Sequence, residues 1–368
     1  MGPDRNSFDR ARLVVALTVD EAGDLPLPWL GETLSRTLAS QRGHALLVQA
    51  WPGVGALPFA VILAQAWLCE AESSGAKRPC GRCASCRLVR SHLHPDLIVL
   101  LPETLRREHD WPLAQDKPDG DDAKRKPSRQ IRIDEVRALI DWSSKTPSRG
   151  RGKVAVLHPA TALNPQAANA LLKTLEEPPA STRLVLTAGD PASLLPTVRS
   201  RCQWLRLSEP DAEEAVAWLE AQGVAQAQVL LAACNGRPLD ALALAQAGID
   251  GPAWSALPAA VAAGKASAFS GWSVALAVDA LHKICHDAMA VASGAAARYF
   301  PDQRVPRGAQ LVALADWSAE LDRVARHDEH PWNEGLLIEA LVQRGAAVLA
   351  VGRAGAKFRA QPLDTLPS

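Results

Sequence analysis

Net charge is the first thing this chain lacks: forty Lys and Arg residues offset forty Asp and Glu. Without a global basic field, it cannot hold nucleic acid tightly by charge alone, so any such contact is local or made within an assembly. Tyr occurs once and Phe five times against eleven Trp, a bias of composition that says little about chemistry. A long apolar run is also missing. Residues 45–69 carry no charge, but Pro52, Gly53, Gly55 and Pro58 interrupt them, and neither half approaches the roughly 20 residues of a membrane-spanning helix. The opening MGPDRNSFDRAR has no apolar stretch behind it and no small-residue cleavage site, so no signal peptide is expected. A chain of 368 residues with 48% apolar and 22% charged content is neither disordered nor fibrous. With seven cysteines, an odd number, it is too long to need disulfide staples. A reducing, cytoplasmic location follows.

The length predicts two or three domains. Residues 45–50, 97–101, 153–157 and 183–187 are short apolar runs of the kind that form buried parallel strands. Helical patterns lie between them, at 58–69 with Pro58 in the first turn, at 133–143, and at 165–177 with Asn164 as N-cap and Pro165 at the first helical position. Strand–helix alternation means an α/β domain with a parallel sheet, ending near Leu207. Everything beyond reads as helix. Three short helices within 211–246 are separated by Gly223 and the CNGRP turn at 234–238, and longer amphipathic patterns cover 267–293, 309–326 and 332–351. Residues 104–130, rich in Pro and charge and ending in KRKPSRQIR, are expected to be a surface loop. No internal repeat is found.

Cys69, Cys80, Cys83 and Cys86 have the spacing C-x10-C-x2-C-x2-C. Two C-x2-C steps in a Gly-containing loop let thiolates converge, and Cys69 at a helix end can supply the fourth corner of a tetrahedron. A closed four-sulfur cage suits structural zinc and leaves no open position for catalysis. An iron–sulfur cluster is the rival, although the x3-C-P continuation is missing; four buried thiols without a metal are the third possibility. Cys202, Cys234 and Cys285 are isolated and expected to be small core or surface residues. His282 and His286 have i,i+4 spacing, but without a third ligand no metal site is expected there.

The strand, turn and helix at 45–69 have the layout of a P-loop, G-x4-G-K-[ST], in which Lys meets the β/γ-phosphates and a hydroxyl meets Mg²⁺. In register, Ala50 replaces the first Gly, Gly55 keeps the second, and Ala56 and Leu57 stand where Lys and Ser/Thr belong. The strand at 153–157 runs into His158 and Pro159 instead of metal-binding acids, and Glu176 and Glu177 lie at the far end of the next helix. Such a site is not expected to hydrolyse ATP.

NALLKTLEEPP at 169–179, a following strand and Ser200–Arg201–Cys202 together resemble the clamp-loader branch of the AAA+ ATPases. HALLVQAWPGVG at 44–55, the four-cysteine module and HPDLIVLLPE at 94–103 are similar to the delta-prime subunits of bacterial DNA polymerase III. The likeness spans about residues 26–245 and continues weakly at NEGLLIEALV, 333–342. It implies an AAA+ α/β domain over 26–207 with an inserted zinc module at 69–86, a helical lid over 208–249 and an all-helical oligomerisation collar over 250–368, after an unassigned extension at 1–25. It also implies a ring-like pentamer with gamma/tau ATPase subunits and a delta subunit, loading a sliding clamp on primed DNA. By the same resemblance Arg201 is an arginine finger offered in trans to ATP on a neighbour, and the chain is an inactive member of the ring. Taken alone, without the resemblance, Arg201 reads as a surface salt-bridge residue. Two other functions compete: an ATP-hydrolysing clamp-loader subunit, opposed by the missing Lys, hydroxyl and acids, and a zinc-dependent nucleic-acid-binding module, opposed by the zero net charge.

Overall fold

The computed structural model describes residues 15–71, 77–112, 127–179, 181–326 and 333–350. Residues 1–14 of the N-terminal extension, 113–126 of the insertion and 351–368 of the expected collar lie outside the described residues. What is described falls into two compact units. One runs to Trp218 and takes in Arg237–Asp240; the other comprises Leu219–Gly236 and the chain after Asp240.

The first unit begins with α1 (Leu30–Ser40), then β1 (Ala45–Gln49), α2 (Ala56–Leu68), α3 (Ala84–Arg90), β2 (Leu97–Leu100), α4 (Glu103–Glu108) and α5 (Ile133–Ser143). There follow β3 (Lys153–Leu157), α6 (Pro165–Glu176), β4 (Thr182–Ala188), α7 (Pro196–Arg199), β5 (Gln203–Arg206) and α8 (Ala212–Ala221). The sheet order is β2-β3-β4-β1-β5, every pair parallel, with Leu47 level with Leu186 and Ala155 level with Leu184. Both faces are covered, so the inner strands are buried end to end and read as unbroken apolar runs. Leu47, Leu157, Leu184 and Leu186 meet Val136, Leu139, Leu171 and Leu175 of α5 and α6 in one core. Asn164 caps α6 by accepting from the Ala167 N–H at 2.8 Å, with Pro165 just inside. α2 carries no charged residue and is buried almost all round, as a helix without a polar face must be.

The sequence-based elements need correcting at four places in this unit, the first being α1, which the sequence reading did not expect. The insertion at 104–130 is not a loop throughout. α4 covers its start, Trp111 is buried, and its two described ends meet where Ser128 N–H donates to Glu103 Oε2 at 3.0 Å. The CGRCASC segment is likewise part helix, because α3 starts at Ala84. A fifth strand, β5, stands at the sheet edge with mostly exposed side chains.

The second unit contains α9 (Ala227–Ala233), the bulk of α10 (Pro238–Gln246), α11 (Gly251–Ala262), α12 (Val274–Ala292), α13 (Leu311–Ala325) and α14 (Glu334–Ala350). The expected pattern at 267–293 resolves into a short 3-10 turn and then α12, capped by Ser273. Trp254 stacks on Phe300 with ring centres 5.2 Å apart, and Trp317 is fully buried. Gly345 makes that possible: a Cβ there would lie 2.6 Å from the Trp317 ring and 2.9 Å from Val261, so a larger residue would push α14 away. No described helix is long and apolar enough to cross a membrane.

Candidate functional site

The four cysteines converge. Cys69 is the C-cap of α2, Cys83 the N-cap of α3, and Cys86 lies in the first turn of α3. All four Sγ atoms lie within 4.8 Å of one another, with Cys69–Cys83 at 3.9 Å and Cys80–Cys86 at 4.0 Å. A tetrahedron built on Zn–S bonds of about 2.3 Å has edges of about 3.8 Å, so this thiol set fits zinc. Backbone N–H groups support the sulfurs, from Cys83 to Cys80 Sγ and from Cys86 to Cys83 Sγ, each at 3.4 Å. Desolvation opposes ionisation of Cys80, but N–H donation from Cys83 and Arg82 outweighs it and brings the thiol down to about 7. Burial pushes Cys86 and Cys69 up. The approach to Cys80 requires glycine at position 81, where φ is +75° and a Cβ would fall 2.0 Å from the Asp20 carbonyl oxygen.

Behind the thiols lies a polar network that motif reading misses. The Ser85 hydroxyl and His94 Nε2 are 2.6 Å apart, the Asp96 N–H donates to His94 Nδ1 at 3.0 Å, and the Asp96 carboxylate accepts from the Ser148 and Arg149 N–H groups at 2.7 and 2.8 Å. Arg149 Nε in turn donates to Glu70 at 2.7 Å. Ser, His and Asp in this order suggest a hydrolytic triad, but the hydrogen bonds run the wrong way. With Nδ1 accepting, the network assigns the proton to Nε2, which therefore donates to Ser85 rather than removing its proton. All three residues are buried. The network ties the cysteine module to the segment leading into β2 and to the 148–149 turn.

The second place of interest is the crevice at the carboxyl ends of β1, β3 and β4, where open α/β sheets bind ligands. A cavity of ≈ 310 Å³ is lined there by Ala50, Gly55, Ala56, Leu57, His158, Thr187 and Leu239, among others. Its described lining holds no Lys, Arg, Asp or Glu. His158 Nδ1 lies 2.6 Å from the Thr187 hydroxyl, and burial, with a smaller push from His109, lowers the imidazole to about 4. It is neutral at pH 7. The phosphate turn itself is engaged from outside: Leu239 N–H donates to the Gly53 carbonyl at 3.1 Å, and a Cβ on Gly53 would lie 2.7 Å from Asp240 Oδ1. Gly55, the N-cap of α2 with φ +110°, has Leu27 against it where a Cβ would be.

Arg201 lines neither site. It follows α7, about one-third exposed, and its guanidinium is ion-paired with Glu176 at the C-terminal end of α6. Nε donates to Glu176 Oε1 at 2.5 Å, and Nη1 donates to the Thr197 carbonyl at 2.8 Å and the Ser200 hydroxyl at 3.4 Å. The remaining cysteines are buried, as expected of core residues: the Cys285 thiol donates to the Leu314 carbonyl and the Cys202 thiol to that of Val198. His282 pairs with Asp322 and His286 with Asp287.

A parallel sheet with a strand–turn–helix of P-loop layout and a four-cysteine module between its first helix and second strand defines a P-loop-like α/β protein. A family model described as "DNA polymerase III, delta subunit" matches residues 30–211. DNA polymerase III subunit delta' of Escherichia coli (strain K12) is 33% identical over 278 residues, 70% of this chain and 76% of that protein. The subunit of the same name from Haemophilus influenzae is 35% identical over 228 residues, 60% of this chain and 62% of that protein. DNA polymerase III subunit tau of Salmonella typhimurium is 32% identical over 209 residues, covering 55% of this chain and 28% of that one. The chain belongs to the DNA polymerase III delta-prime family.

Proposed function

We propose that this chain, a DNA polymerase III clamp-loader subunit by family, does not hydrolyse ATP itself and serves ATPase partners of the gamma/tau type. The observation that carries this is the cavity at the strand ends, whose described lining has no ionic group. A bound triphosphate with Mg²⁺ needs a cation on its β/γ-oxygens and a carboxylate on the metal. Here Ala56 and Leu57 stand at the start of α2, and β3 ends in a neutral His158. Beside the turn, Asp240 and Arg237 both border Gly53 and are ion-paired with each other at 2.8 Å. The hydrolysing reading is opposed by a described lining with neither a Lys nor an acid.

The remaining roles follow from that reading. Zinc held by Cys69, Cys80, Cys83 and Cys86 would supply a closed structural cross-link between the end of α2 and the start of α3. Arg201, with its planar fork of donors, is offered to the nucleotide of an adjacent ATPase subunit, where it neutralises charge on the transferring phosphoryl group. Residues 208–249 act as a helical lid and 250–368 as the collar that assembles a heteropentamer with gamma/tau and delta subunits. The assembly works in the cytoplasm at the nucleoid, acting on the sliding clamp and primer–template DNA.

The test is steady-state hydrolysis by the homogeneous chain, with and without DNA. No turnover is expected, and none from Ala56→Lys with Leu57→Thr, because the strand-end acids remain absent. Turnover by the wild-type chain refutes the proposal.

A further inference from the structure

The Arg201 guanidinium has five N–H groups, and the structure turns four of them inward. Nε and Nη2 both reach the Glu176 carboxylate, while Nη1 serves the Thr197 carbonyl and the Ser200 hydroxyl. Glu176 ends α6, where the helix dipole presents its negative pole. A carboxylate there is disfavoured until a cation neutralises it, so Glu176 and the end of α6 both attract Arg201. The pair is partly exposed, at 32% for Arg201 and 48% for Glu176, so an incoming anion can reach the guanidinium.

We infer that Glu176 is a positioning residue that holds Arg201 in a resting pose, and that the terminal phosphate of a nucleotide on a neighbouring subunit competes with the Glu176 carboxylate for the same guanidinium. This rests on the proposed role of Arg201 and adds a second participant to it. The fork that would grip two phosphate oxygens is occupied by one carboxylate oxygen, and a guanidinium cannot make both bidentate pairs at once. Hand-over therefore has a cost, set by the carboxylate, which is subtracted from the neighbour's affinity for nucleotide. Glu176→Gln keeps an oxygen for Nε but removes the charge, and so lowers that cost without removing the side chain. Because the cost is incurred when nucleotide binds and is the same in the transition state, the change belongs in KM and not in kcat.

The experiment uses the reconstituted complex with wild-type ATPase partners and four versions of this chain: wild type, Glu176→Gln, Arg201→Ala and the double variant. ATP hydrolysis stimulated by DNA and clamp is measured over a range of ATP concentrations. Glu176→Gln is expected to lower KM at the affected site by about 1.5- to fivefold, the scale of one exposed charge pair, with kcat unchanged, and to have no effect when Arg201 is already Ala. If Arg201→Ala lowers the rate while Glu176→Gln leaves KM unmoved, the resting-pose inference fails and the finger stands. If Glu176→Gln lowers kcat as Arg201→Ala does, Glu176 supports the finger instead of restraining it, and the inference is equally overturned. If Arg201→Ala changes nothing, both readings fall together.

Discussion

Asp96 offers a sharp quantitative test of how the cysteine module is fastened to the sheet. Its carboxylate is fully buried and spends one oxygen on the Ser148 N–H at 2.7 Å and the other on the Arg149 N–H at 2.8 Å. In Asp96→Asn one oxygen becomes an amide nitrogen, so a part-buried N–H donor faces another donor beside the buried side chain, and the surviving bond loses its ionic partner. The unsatisfied donor costs about 1–3 kcal/mol and the lost charge assistance about another 1, giving a total of about 2–4 kcal/mol. The Asp96 backbone N–H that donates to His94 Nδ1, and so orients the ring towards Ser85, is left in place by the substitution. Metal content should therefore be unchanged while the 148–149 turn opens more readily. Hydrogen exchange at the Ser148 and Arg149 amides, at fixed free zinc, reads this opening locally and needs no two-state assumption for a chain of two units. Protection at those amides should fall at least thirtyfold. Unchanged protection, or a stability loss below about 0.5 kcal/mol, would refute the assignment of the Asp96 carboxylate as the tether.

Three other outcomes are expected. The purified chain should carry one zinc and show no iron–sulfur absorption, and Cys83→Ser should lose the metal and local stability with no change in a chemical step; stoichiometric iron by elemental analysis would contradict this. His158, held near 4 by burial, should remain neutral at pH 5 by NMR titration. Because its folded value lies below the ordinary 6.5, its contribution to stability is complete above pH 6.5 and is lost as pH falls towards 4, by up to about 3 kcal/mol, and His158→Gln should flatten that part of the profile. Arg201→Ala should leave assembly and zinc content intact while lowering stimulated hydrolysis by the complex, and Arg201→Lys should rescue poorly for want of a planar fork; equal rates with wild type and variant would leave the chain a scaffold.

The strands of the sheet interior were legible because burial on both faces leaves nothing but apolar residues to read, as at Leu46–Val48 and Val154–Leu157. β5 escaped for the opposite reason: at the edge only Leu205 is half-buried, while Gln203, Trp204 and Arg206 face outward. α11 was missed because Pro258 interrupts it and its small residues show no polar face. The cysteine set was readable because three of its cysteines sit within seven residues, with the fourth placed by the helix end at Cys69. The pairing of Arg201 with Glu176 joins residues 25 apart on different elements, and the Ser85–His94–Asp96 network depends on which nitrogen holds a proton. Periodicity and spacing carry neither.

One consequence of α2 concerns rigidity. Gly55 opens this helix at the phosphate turn and Cys69 closes it at the thiol cluster, so two sites that look separate are the two ends of one rod of thirteen residues, about 20 Å long. In a protein whose crevice binds triphosphate, the ligand itself orders the turn at the near end. On the proposed reading, a metal held by the four thiols would fix the far end of this rod, and the helix would carry that restraint to the turn at its near end. Such a subunit would then hold one geometry while nucleotide turned over on the partners proposed for it.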